Sequence, residues 1–147
     1  MQPWQELATT SHYQTALAIK QKLLHGDVQE AKIGIEELVE ALGRSDKRAL
    51  RSQLLRLMAH ILKWQTQPER RSRSWMITIE DARIEIEELL EMEPSLHPVV
   101  PGLLVELFDK AKRIAEIEMG KSVLRTSLSW DEVFEATYTL TVNGVVA

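Results

Sequence analysis

Apolar residues recur three and four positions apart along most of the chain, a spacing that predicts helices nearly throughout. Ser11 is placed to cap a first helix carrying Tyr13, Leu17, Lys20 and Leu24 on one side, with His25 in its last turn and Gly26 as its stop. Asp27 followed by Glu30 is a capping-box pattern and opens a second helix to about Leu42. Its apolar positions Val28, Ala31, Ile35, Leu38 and Leu42 form one narrow stripe, and Gly43 is expected to end it. Ser45 or Asp46 would then cap a third helix bearing Leu50, Leu54, Leu55, Leu57, Met58, Ile61, Leu62 and Trp64. At about 100° per residue these cover roughly half the circumference. That breadth predicts a central helix flanked by its two neighbours in sequence.

Pro68 breaks the third helix and introduces a fourth through Glu91. Trp75, Ile79, Ala82, Ile86, Leu89 and Leu90 share one face of it, whereas Ile77 and Ile84 lie nearly opposite and imply a second apolar contact. Pro94 and Pro98 mark a connection to a fifth helix, Val99 to Met119, with Val100, Leu103, Leu107, Ala111, Ile114 and Ile117 inward and Gly120 as stop. Ser129 with Glu132 repeats the capping-box pattern before a short helix containing Phe134. From Thr137 apolar and polar residues alternate around Tyr138, Leu140 and Val142, with Asn143-Gly144 as a turn signal. The segment is too short for an independent hairpin and reads as an extended or mobile tail. The predicted fold is all-α: a single domain over residues 1–136, built as an antiparallel bundle of five main helices and a short C-terminal one, with residues 137–147 as the tail.

Composition narrows the chemistry. The 147 residues contain no cysteine, which excludes disulfides, thiol nucleophiles, Cys-ligated zinc and iron–sulfur clusters. No apolar run reaches the ~18 residues of a membrane span, and no leader pattern is evident, so a cytoplasmic protein is expected. Net charge is only −4, but residues 44–73 carry nine cations against Asp46 and Glu69, a local +7 that leaves −11 for the rest. Such segregation predicts that basic and acidic segments meet within one chain or between chains.

The candidate polar residues follow from this layout. Glu36 and Glu40 lie one turn apart, where like charges repel by a few tenths of a kcal/mol unless a cation intervenes. Arg51 and Arg83 fall beside apolar arcs where an unpaired guanidinium is costly, so ion pairing between helices is the plainest expectation. A metal or small-ligand site at Glu36, Glu40 and His60 is an alternative, although no Glu-x-x-His repeat of a dinuclear bundle occurs. The segment Trp64-Gln65-Thr66-Gln67-Pro68-Glu69-Arg70-Arg71-Ser72-Arg73-Ser74-Trp75 sets three arginines between two tryptophans. Arg70, Arg71 and Arg73 suit carboxylate or phosphate forks, or stacking on Trp64 and Trp75. Arg44, Lys47, Arg48 and Arg51 form a basic stripe compatible with a nucleic-acid backbone. The sequence has no Gly-rich phosphate loop, no Gly-x-Ser-x-Gly and no His-Glu-x-x-His, so catalysis has no recognisable motif.

Glu36-Glu37-Leu38, Leu42-Gly43-Arg44-Ser45-Asp46-Lys47-Arg48-Ala49-Leu50, His60 to Gln65, Gln67 to Trp75 and Thr78-Ile79 together resemble the bacterial family called domain of unknown function 29, common in cyanobacteria. The resemblance covers about residues 11–120 and implies a compact all-helical domain without an assigned activity. Ala16, Thr66 and Met119 stand where that family more often has tryptophan, an aromatic and threonine, as in a divergent subgroup. The expected function is a non-enzymatic interaction or adaptor domain, needing no cofactor, that offers Arg70–Arg73 and the Ile77/Ile84 stripe to a protein partner or second copy. Nucleic-acid binding through Arg44–Arg73 is the alternative.

Overall fold

The computed structural model describes residues 3–142, 145 and 146. The fold is all-α, with five α-helices among those residues: α1 (Trp4–Thr10), α2 (His12–Leu24), α3 (Val28–Thr66), α4 (Arg73–Met92) and α5 (Val100–Met119). Helix α1 had no counterpart in the predicted series, and α3 replaces two predicted helices. Contacts group the chain into two compact units, residues 1–48 and 49–147, with the division inside α3.

In the first unit the local end signals operate as the sequence predicts. Ser11 is extended, and its hydroxyl accepts from the Gln14 N–H at 3.1 Å. Gly26 has φ +77°, and the Gly26 and Asp27 amides donate to the Leu23 and Lys22 carbonyls, a Schellman closure of α2. Asp27 accepts from the Glu30 N–H at 3.2 Å, but the Glu30 carboxylate does not complete the box. It accepts instead from Trp4 Nε1 at 2.8 Å, tying α1 to α3.

Gly43 does not end a helix, and Ser45 and Asp46 lie inside α3 rather than capping anything. An interior glycine costs only about 0.5–1 kcal/mol relative to alanine, too little to stop a helix held at both ends by side-chain packing. The expected stripe is also corrected. Ala31, Gly34 and Ala41 are buried, while Val28, Ile35 and Leu42 are exposed. A Cβ on Gly34 would lie 2.8 Å from both Ile19 Cγ1 and the Trp4 ring, so close helix approach selects the small-residue side.

In the second unit, residues 49–66 of α3 form the centre of the core as predicted, but their neighbours are α4 and α5, the fourth and fifth predicted helices, rather than the second and fourth, because the second predicted helix is the first part of the same α3. Leu50, Leu54, Leu57, Met58, Ile61 and Leu62 are completely buried with Ile79 and Ala82 of α4 and Leu107 and Ala111 of α5. Arg51 meets Glu106 and Lys63 meets Glu118. The same twelve-residue advance on both helices makes α3 and α5 parallel over about 18 Å. Arg56 meets Asp81, whereas Lys63, farther along α3, lies over the ring of Trp75, earlier in α4. Those two helices are therefore antiparallel.

Pro68–Arg70 forms a single 3-10 turn, and Pro94–Val99 a 3-10 connection whose Leu96 joins the core. Gly120 ends α5 with φ +66°. Ile117, expected inward, is 75% exposed because Leu104, Phe108 and Ala115 rotate the buried arc away from it. The predicted short C-terminal helix is a π-helical turn, Asp131–Glu135. Beyond it Tyr138 is buried and Leu140 packs on the core. The chain then makes a minimal antiparallel ladder, β1 (Thr141–Val142) with β2 (Val145–Val146). The Asn143-Gly144 turn signal lies outside the described residues.

Candidate functional site

Helix α4 carries two different faces. Ile79, Ala82 and Ile86 fill the core, while Ile77 is 56% and Ile84 is 48% exposed. Arg73, Ile77, Glu80, Ile84, Glu88 and Glu91 follow one another at helical spacing, which places them along one outer face. Beside it lies an open groove of about 370 Å³ lined by Glu80, Ile84, Glu87, Leu90, His97 and Trp130, among others. Trp130 is 48% exposed and stacks obliquely on Phe134, with ring centroids 4.4 Å apart.

Arg83 in the groove lining leads through the Val133 carbonyl to a polar clasp after α5. Arg125 forks onto Glu132 at 2.6 and 2.7 Å, and Gln65 donates to the same carboxylate at 2.8 Å. Ser129 and Glu132 complete the predicted capping box, each side chain accepting from the other's amide at 3.0–3.1 Å. Glu132 consequently has its pKa lowered to about 2, chiefly by the Arg125 hydrogen bonds, with burial opposing. The Tyr138 hydroxyl donates to the Glu132 carbonyl at 2.6 Å, and burial raises its pKa. Arg83 donates to the Val133 carbonyl at 2.9 Å and lies over the Tyr138 ring, which meets Trp64 in a T-shaped contact. Arg71 covers Trp64 at 5.0 Å and donates to its carbonyl at 2.9 Å. The Arg71–Trp64–Tyr138–Arg83 series of contacts therefore ties the segment around Tyr138 to α3 and α4.

Each sequence-derived candidate has a definite place. Glu40 pairs loosely with Arg44 at 3.8 Å, not with Arg51, which reaches Glu106 at 2.7 Å. Glu36 lines a shallow depression with Ile35, Glu37, Val39 and Glu40 on α3. Arg83 finds Glu80 and two backbone carbonyls. His60 directs Nδ1 to the Arg56 carbonyl at 2.9 Å, and burial lowers its pKa. Among the described residues no group of three or more His, Asp or Glu is arranged to hold a metal ion. Trp75 packs partly buried beneath Lys63. Of the three clustered arginines, Arg71 is absorbed by Trp64, while Arg70 and Arg73 have no acidic partner among the described residues.

Sequence reasoning passed over Arg125 and did not connect Gln65 or Tyr138 with Glu132. Only the Ser129/Glu132 spacing gave notice of the clasp, because Gln65 is 67 residues from Glu132 and the contacts of Arg125 and Tyr138 depend on how the non-helical chain around Glu132 folds.

The chain matches the model of the family described as "Domain of unknown function DUF29" over residues 11–141. It belongs to that family. The match extends past the resemblance read from sequence and takes in Arg125, Glu132 and Tyr138 of the clasp. No curated protein and no solved structure matches the chain. Among the described residues, no helix of this family member is long and apolar enough to cross a membrane.

Proposed function

We propose that this protein is a non-enzymatic interaction domain of the bacterial cytoplasm that binds a protein surface along the outer face of α4. The supporting observation is the exposure of Ile77, Ile84 and Trp130, all large and about half exposed, with Ile84 and Trp130 lining one groove beside α4. Side chains of this size are the usual anchors of an interface core. Arg70 and Arg73 add unpaired cations at one end. The test is affinity capture with wild type, Ile84→Glu and Trp130→Ala, with folding checked by circular dichroism. A partner held by wild type and lost by both variants supports the reading; partners retained equally by all three would remove it.

A second reading, anion or nucleic-acid binding, rests on a separate observation in the first unit. His12, Arg44, Ser45 and Arg48 line a depression of about 180 Å³, and none of its described lining residues is a carboxylate. Phosphate-backbone binding there would weaken steeply with salt and fail in Arg48→Gln. Binding that is absent, or indifferent to salt, excludes it.

A further inference from the structure

The outer face of α4 has an order that matches itself when reversed. Reading outward from a point between Glu80 and Asp81, Ile77 corresponds to Ile84 and Arg73 to Glu88. Each pair is equidistant from that point along the chain. A second copy laid antiparallel across a two-fold axis there would set isoleucine on isoleucine and arginine on glutamate, twice over. This is the self-complementarity that an isologous interface requires.

The electrostatics of α4 itself point the same way. A helix is favoured by acids in its first turn and bases in its last, because its N-terminus is partially positive and its C-terminus partially negative. Helix α4 has neither. It begins instead with Arg73 and carries Glu88 and Glu91 toward its C-terminal end, so both ends bear the sign its own dipole disfavours. None of Arg70, Arg73, Glu88 and Glu91 has an oppositely charged partner among the described residues. An antiparallel neighbour supplies Arg73 and Glu88 with both an opposite side chain and an opposite helix end. Near the axis, Glu80 is within 3.7 Å of Arg83 and Asp81 is held by Arg56 at 2.9 Å, so the charges that approach their own copies are already compensated.

From this complementarity we infer that the occupant of the α4 outer face is a second copy of this chain, docked antiparallel about a two-fold axis near Glu80. Ile77 and Ile84 form the apolar centre, with Trp130 beside it. The Arg73–Glu88 pairs close its two ends and set its orientation. The inference rests on the α4 interaction reading above and narrows it to one partner.

Sedimentation of the full chain over a range of concentrations tests it through charge reversal. Wild type is expected to dimerise reversibly. Arg73→Glu and Glu88→Arg should each weaken self-association at least tenfold, since each sets like charges opposite one another at both ends. An equimolar mixture of these two single variants should associate as a heterodimer, because each chain then meets its complement at both ends. Unchanged circular dichroism of the exposed-site variants separates loss of pairing from loss of fold, and Ile84→Glu should abolish pairing in the same assay. A wild type that stays monomeric up to about 1 mM overturns the inference. So does a dimer indifferent to both reversals, or a mixture no better associated than its components. If a different protein is still captured in an Ile84-dependent way, the dimer fails while the interaction reading stands. Indifference of both assays to Ile84→Glu ends both.

Discussion

Glu132 receives two hydrogen bonds from the Arg125 guanidinium, at 2.6 and 2.7 Å, seven residues away in sequence. With Gln65 and the Ser129 amide on the same carboxylate, this pair holds the segment after α5 against the end of α3.

That geometry makes stability depend on acid pH. The folded pKa of Glu132, about 2, lies below its ordinary 4.5, so the unfolded chain binds the proton more readily. The carboxylate's contribution is complete above about pH 4.5 and disappears as pH falls toward 2. Glu132→Gln should lower unfolding stability by about 1–3 kcal/mol at pH 6. Urea denaturation at pH 6, 4 and 3 should show the gap to wild type narrowing; a constant gap contradicts this account.

His60 acts in the opposite part of the pH scale. Burial lowers its folded pKa from 6.5 despite the Arg56 carbonyl at Nδ1, so protonation opposes folding. Its penalty appears as pH falls through 6.5. His60→Gln should flatten the pH dependence of the thermal midpoint between about pH 7.5 and 5.5. Identical slopes in the two proteins would rule out this role.

Two glycines of α3 should respond with opposite signs. Gly34→Ala forces a methyl against Ile19 and Trp4 and should destabilise by about 1–3 kcal/mol. Gly43 has open space around its added Cβ, so Gly43→Ala should stabilise by about 0.5–1 kcal/mol. Equilibrium denaturation of both variants measures the contrast.

Leu57 and Ile117 provide the same kind of comparison in the second unit. Leu57 is fully buried, and Leu57→Ala should cost about 2–5 kcal/mol through lost transfer energy and a residual cavity. Ile117 faces solvent, so Ile117→Ala should stay within about 0.5 kcal/mol of wild type. A large loss at Ile117 would place it in a contact beyond this chain.

Helix ends were the most legible features because their chemistry is local. Ser11, Asp27, Gly26, Gly120 and the Ser129/Glu132 box each act on backbone groups within a few residues. The breadth of the apolar arc from Leu50 to Trp64 likewise announced a central helix, since only a helix with several neighbours can bury so wide a face. Of the candidate surface, Ile77 and Ile84 were readable as a second stripe opposite the core face of α4. The clasp was not: Gln65, Arg125, Glu132 and Tyr138 are brought together only by folding.

What the sequence determined by itself was therefore the all-helical class, most helix boundaries, the core of the second unit and the family. Tertiary structure decided whether Gly43 interrupts α3, which side of its first half is buried, and which acids Arg51, Arg56 and Arg125 meet. The physical reason is range. Caps and periodicity are settled within one or two turns, whereas Gly34 is buried by Ile19 and Trp4, and Arg51 is matched by Glu106 fifty-five residues away.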